Sequence, residues 1–375
     1  MTVDNKPLYK VILDELKSKI EEGQYAPEQQ LPTEIELAEQ YGVSRITSKR
    51  AFIELEREGL IYRKRGSGSY VKEQKVPNRT HDGVIQNASP IISMILPYLA
   101  TNELDYIKGA TDYIDSKGYY LSIHNSDWSK DKEKNLLSKL SKSGICGIIL
   151  YPLSTISNVE VVNAICSNGY PIVTVDQYFD RLKVNSVVSD NYNGGYMLAS
   201  RLIELGHERI AFVSSVSIEY RSSVRDRYLG YCQALKDHQI PIDPELIFTD
   251  FYRDVTEKNS KQFYKAMLAR LQSHKATAIQ AEHDLLAVEL LKNGLELGID
   301  IPGQLSIAGF DDDEVSRHVE VPLTTIAQDF YELGRKAAEL IISANESGSP
   351  ENVKIKVPVR LIERQSTGIC SITVE

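Results

Sequence analysis

Three carboxylates follow apolar runs that read as buried strands: Asp176 after PIVTV, Asp284 after AIQAEH and Asp311 after SIAGF. His283 stands directly before the second. Open parallel sheets bind ligands at the carboxyl ends of their strands, so groups at these positions can act together. A carboxylate accepts hydrogen bonds from neighbouring hydroxyls, and an aromatic ring covers the apolar face of a sugar. Tyr98, Trp128 and Tyr151 stand in the matching loops. Two carboxylates across one cleft could instead serve as general acid and base. For any single Asp the ordinary reading is a turn or a helix N-cap. Recurrence at several strand ends shifts the weight to a binding site for a polyhydroxylated molecule.

A different chemistry stands in SRITSKRAFIELEREGL, Ser44 to Leu60, which gathers Arg45, Lys49 and Arg50 on one short helix. The chain has 375 residues and a net charge of −9. Residues 1–75 hold 13 Lys/Arg and 13 Asp/Glu, whereas residues 76–375 hold 30 and 39 and carry the whole acidic excess. Within 44–72, eight cations face three acids. A local positive surface on an acidic chain is the electrostatic footprint expected for phosphate. From a helix in the major groove, Arg and Lys can also read guanine edges.

Composition excludes several classes. Apolar content of 42% and charged content of 25% are those of a soluble globular protein. The first apolar stretch, Leu8 to Ile20, is broken by Lys10, Asp14, Glu15, Lys17 and Lys19, so it is not the core of a secretion signal. No run approaches the ~18 apolar residues of a membrane span. Cys146, Cys166, Cys232 and Cys370 contain no CxxC pair. Free, buried thiols are therefore expected rather than a zinc or disulfide framework, with no metal and no cofactor.

The cations need elements to present them. Pro7 to Glu22 has apolar residues at spacings of three and four and predicts an amphipathic helix. Thr33 with Glu36 has capping-box spacing and predicts a short helix ending at Gly42. Ser44 caps the next helix, over Arg45 to Glu58, whose residues Ser48, Ala51, Phe52 and Leu55 share one face. A hairpin follows, with Leu60 to Tyr62 as one strand, Gly66-Ser67-Gly68 as the turn and Arg63, Lys64 and Arg65 beside its tip. Two helices around a glycine turn, then a basic hairpin, suit DNA, with the hairpin over the flanking backbone. Residues 73–90, with two prolines and little periodicity, read as a linker. From Ser89 strands and helices alternate, which predicts parallel sheets with helices on both faces, in two lobes.

The stretch LPTEIELAEQYGVSRITSKRAFIELEREGLIYRKRGSGSYV resembles the winged helix-turn-helix of the GntR family. The resemblance implies DNA contacts from Arg45, Thr47 and Lys49, with Glu34 at the start of the preceding helix and Gly66 to Gly68 at the wing. Ser44, Arg50, Lys64, Arg65 and Ser67 complete the expected DNA-facing set. Ser48 stands where the family has an apolar core residue, so looser packing of its helix is expected. Ile35 replaces a polar phosphate contact.

Further on, VVSDNYNGGYMLASRLIELGHERIAFVSS, RDRYLGYCQAL and IPGQLSIAGFDDDEVSRHVEVPLTTIAQDFYELG resemble the LacI/GalR effector-binding domain, with LIERQSTG as its closing strand. This second resemblance spans about residues 90–368. It implies effector contacts from Arg227, Asp311, Asp176 and Gln328, and His283 replaces the family's Asn. The expected fold is an α+β winged helix-turn-helix (residues 1–72), the linker, and an α/β two-lobed domain similar to periplasmic binding proteins (residues 91–375).

A GntR head on a LacI-type sensor resembles the repressors of arabinose-utilisation genes. The resemblance implies a cytoplasmic homodimer that binds operator DNA and takes a small sugar, L-arabinose being favoured over another sugar or metabolite. A sugar-acting enzyme and a transport-type binding protein are the competing readings. The first lacks a nucleotide-binding glycine loop or a nucleophile elbow, and the second lacks a signal peptide.

Overall fold

A computed structural model of the chain describes residues 7–21, 24–26, 28–57, 59–64, 67–72, 89–98, 101–347 and 352–371. They fall in two compact units, residues 1–78 and 79–375. Residues 73–88 of the expected linker, and Arg65 and Gly66 of the expected wing tip, lie outside the described residues.

The first unit runs α1 (Leu8–Glu21), α2 (Glu34–Gln40), α3 (Arg45–Arg57), β1 (Ile61–Lys64) and β2 (Gly68–Val71). The two strands pair antiparallel, Ile61 opposite Val71 and Lys64 opposite Gly68. The expected capping box starts α2: Glu36 N–H donates to Thr33 Oγ1 at 3.2 Å and Thr33 N–H donates to a Glu36 carboxylate oxygen at 2.7 Å. Ile12, Leu16, Leu37, Phe52, Leu55 and Val71 meet in one apolar core, which joins all three helices to the hairpin. Ser48 corrects the sequence expectation of looser packing. Its buried hydroxyl donates to the Glu34 carbonyl at 2.6 Å and so ties α3 to the first turn of α2.

The second unit begins with β3 (Ser89–Leu96), α4 (Thr101–Ser116), β4 (Tyr120–Asn125), α5 (Lys130–Leu140), β5 (Ile145–Leu150), α6 (Val159–Ser167), β6 (Ile172–Val175) and β7 (Asn185–Ser189). It continues through α7 (Asn191–Glu204), β8 (Ile210–Val213), α8 (Ser222–Asp237), β9 (Ile247–Phe248), α9 (Ser260–Ser273), β10 (Ala278–Ala281), α10 (Asp284–Glu296), β11 (Ser306–Asp311) and β12 (Thr324–Ala327). It ends with α11 (Phe330–Ser347), β13 (Lys354–Val357) and β14 (Arg360–Ile362). One six-stranded sheet has the order β13-β7-β6-β5-β3-β4, the other β14-β12-β11-β10-β8-β9. All neighbours pair parallel except β12 with β14. Every residue of β5, ICGIIL, is buried, as a parallel strand covered on both faces requires. The closing strand is shorter than LIERQSTG suggests, because β14 ends at Ile362. Among the thiols Cys146 is buried while Cys166, Cys232 and Cys370 are half-buried, and no disulfide joins any of the four.

Each lobe is clamped by a helix crossing too close for side chains. In the second, a Cβ on Gly195 would lie 2.1 Å from the Arg227 carbonyl oxygen, and one on Gly230 2.0 Å from the Tyr192 carbonyl oxygen. In the first, a Cβ on Gly109 or Gly334 would meet the Tyr331 or Tyr106 carbonyl oxygen at 1.9 and 2.0 Å. One added methyl must therefore push a helix pair apart. Gly230→Ala is expected to cost about 1–3 kcal/mol of stability, read as a lower urea midpoint at unchanged slope. An unchanged midpoint would show that α7 and α8 separate freely.

Candidate functional site

Between the two sheets of the second unit lies a cavity of about 510 Å³. Tyr98, Trp128, Tyr151 and Asp176 line it from the first lobe, and Arg227, His283, Asp311 and Gln328 line it opposite. The strand-end carboxylates reach it through unusual backbone: φ is +66° at Asp176 and +114° at Asp311, a region that L-residues seldom occupy. Asp127 and Trp128 are also left-handed, at +51° and +53°. The Trp128 ring stacks on Tyr98 with 5.1 Å between centroids, and the Arg221 guanidinium lies 4.9 Å from the Trp128 ring.

Arg227 is the hub. Its Nε donates to Asn191 Oδ1 at 2.9 Å, Nη1 donates to the Glu282 carbonyl, and Nη2 donates to Asp311 Oδ1 at 3.4 Å. The guanidinium carbon lies 3.7 Å from the Phe310 ring centre. Gln328 Nε2 donates to the same Asp311 oxygen at 2.6 Å, while its Oε1 is buried and accepts nothing among the described residues. Burial pushes the Asp311 carboxyl up to about 6, against the opposing pull of Arg227 and then His283. Across the cavity Tyr106 Oη donates to Asp176 Oδ1 at 3.1 Å. Burial holds the Tyr106 and Tyr151 hydroxyls far above their usual range, so both stay neutral donors. The site therefore offers fixed donors and acceptors on both lobes, flanked by stacked aromatic faces.

The lobes also bond to each other beside the cavity. Thr155 N–H donates to the Tyr220 carbonyl at 3.0 Å. Tyr178 Oη donates to Asp226 at 3.0 Å and accepts from Arg225 at 3.1 Å, and Arg225 grips Asp180 with two bonds of 2.8 Å.

In the first unit, Glu34 lies 3.5 Å from both Arg45 and Arg63. Arg45, Lys49 and Lys64 are exposed. The Ser44 and Thr47 hydroxyls share a hydrogen bond of 2.9 Å. At the wing, Gly68 has φ +118°, and a Cβ there would come within 2.7 Å of Gln30 Nε2, which donates to the Ser67 carbonyl. Arg50 is also exposed, and its guanidinium lies 4.2 Å over the Tyr9 ring of α1.

The family model for bacterial regulatory proteins of the gntR family matches residues 8–71, and that for a periplasmic binding protein-like domain matches residues 199–367. The arabinose metabolism transcriptional repressor of Geobacillus stearothermophilus is 30% identical over 369 residues, 96% of this chain and 98% of that protein. The chain belongs to this family of transcriptional repressors. A second repressor of that description, from Halalkalibacterium halodurans, is 30% identical over 96% of each chain. A LacI family regulator from Enterococcus faecium, solved with bound ribose, shares 27% identity and a TM-score of 0.62 over 74% of this chain and 99% of that one.

Of the repressor's sequence-expected effector residues, Asp284 alone is absent from the cavity wall, which is a correction. As the first residue of α10 it turns inward: one carboxylate oxygen accepts from Thr325 Oγ1 at 2.6 Å, the other from Asp313 N–H at 2.8 Å. It fixes the loop after β11 rather than facing a ligand. Sequence reasoning missed Tyr106, Arg221, Tyr252, Glu282 and Phe330. Glu282 is a buried carboxylate that accepts from Ser214 Oγ at 2.6 Å and Ser215 N–H at 2.8 Å. Among the described residues no helix is long and apolar enough to cross a membrane, and no cluster of His, Cys, Asp and Glu could hold a metal.

Asp311 gives the repressor a testable pH signature. Its value of about 6 stands above the ordinary carboxyl value of about 3.9. Its contribution to stability is thus fully present below pH ~4 and lost as pH rises through about 6. Asp311→Asn is expected to gain on the wild type between those limits, measured by urea unfolding at pH 4.5 and 7. Parallel pH dependence of the two would show that Asp311 titrates normally.

Proposed function

We propose that this protein is a cytoplasmic, homodimeric repressor that leaves operator DNA when L-arabinose enters the cleft. Residues 1–72 are the head and 91–375 the sugar-binding and dimerising sensor, to which Ser89 and Pro90 of the expected 73–90 linker also belong, as the start of β3. The observation that carries the reading is the cleft itself, in which Asp176 from one lobe and Arg227, Asp311 and Gln328 from the other converge among aromatic rings. Pentose hydroxyls suit paired acceptors and donors of this kind. The relatives from G. stearothermophilus and H. halodurans, named for arabinose metabolism, support the choice of pentose.

Sugar contacts to both lobes stabilise the closed cleft, and closure changes the spacing of the two heads. A differential affinity of the sugar for the two states is sufficient: a coupling of roughly 1–3 kcal/mol gives about 5- to 150-fold. In the head, Arg45 and Lys49 contact bases, Ser44, Thr47 and Lys64 the backbone, and Ser67 and Gly68 of the wing approach a flanking groove. Asp311 and Asp176 are already engaged, by Arg227 with Gln328 and by Tyr106, which suits holding a sugar rather than transforming it. The protein is no enzyme and needs no cofactor.

The test is anisotropy of labelled operator duplex, selected by the protein from a random pool, during titration with L-arabinose, ribose, xylose and galactose. Release by L-arabinose alone is expected. Release by another pentose would replace the ligand, and retention with every sugar would overturn the mechanism. Arg227→Ala is expected to keep wild-type operator affinity and to lose release at saturating sugar, whereas Arg45→Ala should weaken operator binding by about 1–3 kcal/mol. Release of the Arg227→Ala protein at wild-type sugar concentration would remove Arg227 from the site.

A further inference from the structure

Ile46 is the most exposed large apolar side chain among the described residues, at 81%, ahead of Ile369 at 77% and Tyr252 at 71%. Single exposed apolar residues are ordinary on protein surfaces. This one stands where neither folding nor helix formation asks for it. It is the second residue of α3, it adds nothing to the core, and a β-branched residue is a poorer helix former than Ala, Lys or Glu. Its neighbours define the surroundings. Arg45 precedes it with its side chain largely exposed, Lys49 follows one turn later, and Ile53, also exposed, continues the same stripe two turns on. Arg50, the other cation that could cover Ile46, is held on Tyr9.

An apolar ridge between cations at the start of a recognition helix fits one surface closely. The N-terminal end of such a helix approaches base edges in the major groove. The only apolar group displayed there is the C5-methyl of thymine. We propose that Ile46 packs on a thymine methyl of the operator, next to the base read by Arg45, and so fixes thymine at one position of each half-site. This rests on the DNA-binding reading of the head. It adds a contact of opposite chemistry, because Ile46 offers no hydrogen bond and tells thymine from cytosine or uracil by the methyl alone.

The test uses the full-length protein and a duplex it selects from a random pool. Each thymine of one half-site is replaced in turn by uracil, which removes the methyl and keeps base pairing and charge. One replacement is expected to weaken wild-type binding about fourfold, the worth of one buried methyl. Ile46→Ala should bind the parent duplex more weakly and be indifferent to that same replacement, while Ile46→Val keeps some of the sensitivity. An unchanged urea midpoint for both variants is expected from the exposure of the site. Wild-type affinity that ignores every uracil, or an Ile46→Ala protein as sensitive as wild type, would overturn the proposal and leave the head's role intact. Selection of no sequence at all would overturn the DNA-binding reading and this inference together.

Discussion

A buried guanidinium must replace lost water with partners in the protein, and Arg227 makes three such bonds, to three structural elements at once. It takes an amide from the start of α7, a carbonyl from the end of β10, a carboxylate from the end of β11, and the Phe310 ring beneath it. The orientation of Gln328, which shares Asp311 Oδ1 with it, follows from where this one cation sits, while burial raises the Asp311 carboxyl against the cation's pull. Its own helix is placed by backbone contact: Gly195 of α7 sits against the main chain of Arg227, and Gly230 of α8 sits against Tyr192. Recognition chemistry and helix packing are thus one constraint. A side chain three residues beyond the Arg227 turn can disturb the site without touching it.

Much of this was legible because parallel strands announce themselves. PIVTV and SIAGF are largely apolar runs without alternation, AIQAE is one broken by Gln280 and Glu282, and each is followed by an acid or by His283 and an acid. What the run cannot reveal is which of two adjacent polar residues faces the ligand. His283 and Asp284 straddle the step from strand to helix, where the side-chain alternation of the strand no longer applies. His283 caps α10 and borders the cavity, while Asp284, one residue on, is turned into the protein. Tyr106 and Phe330 escaped notice for a related reason. They lie on α4 and α11, whose apolar faces read as ordinary core until the fold brings Tyr106 against Asp176. In the head, helices, turn and capping box followed from local rules, since their determinants lie within a few residues of one another. The hydroxyl of Ser48 did not, because its partner is a backbone carbonyl fourteen residues earlier.

Tyr178, Arg225, Asp226 and Asp180 form the bonded group that ties the lobes beside the cavity. Burial raises the Asp226 carboxyl and lowers the Lys354 ammonium, although each opposes the shift of the other, so both charges are held at a cost to the folded state. Replacing such a group by apolar residues of like volume is often neutral for stability. What it supplies is direction: the lobes meet in one register, set by bidentate and ring contacts rather than by apolar area.

The chain passes between the lobes three times, after β7, after β12 and between β13 and β14. The first lobe is therefore completed by α11 and β13, whose residues Leu333, Ala337 and Ile341 belong to its core. On the ribosome the last strand of the head, β2, is made by Val71, but that lobe waits for Phe330–Ser347 before its helix α11 exists. A newly made copy thus acquires its DNA-reading module well before the sensor that can be told to let go, and a stop codon anywhere before α11 would leave a head that no sugar can address.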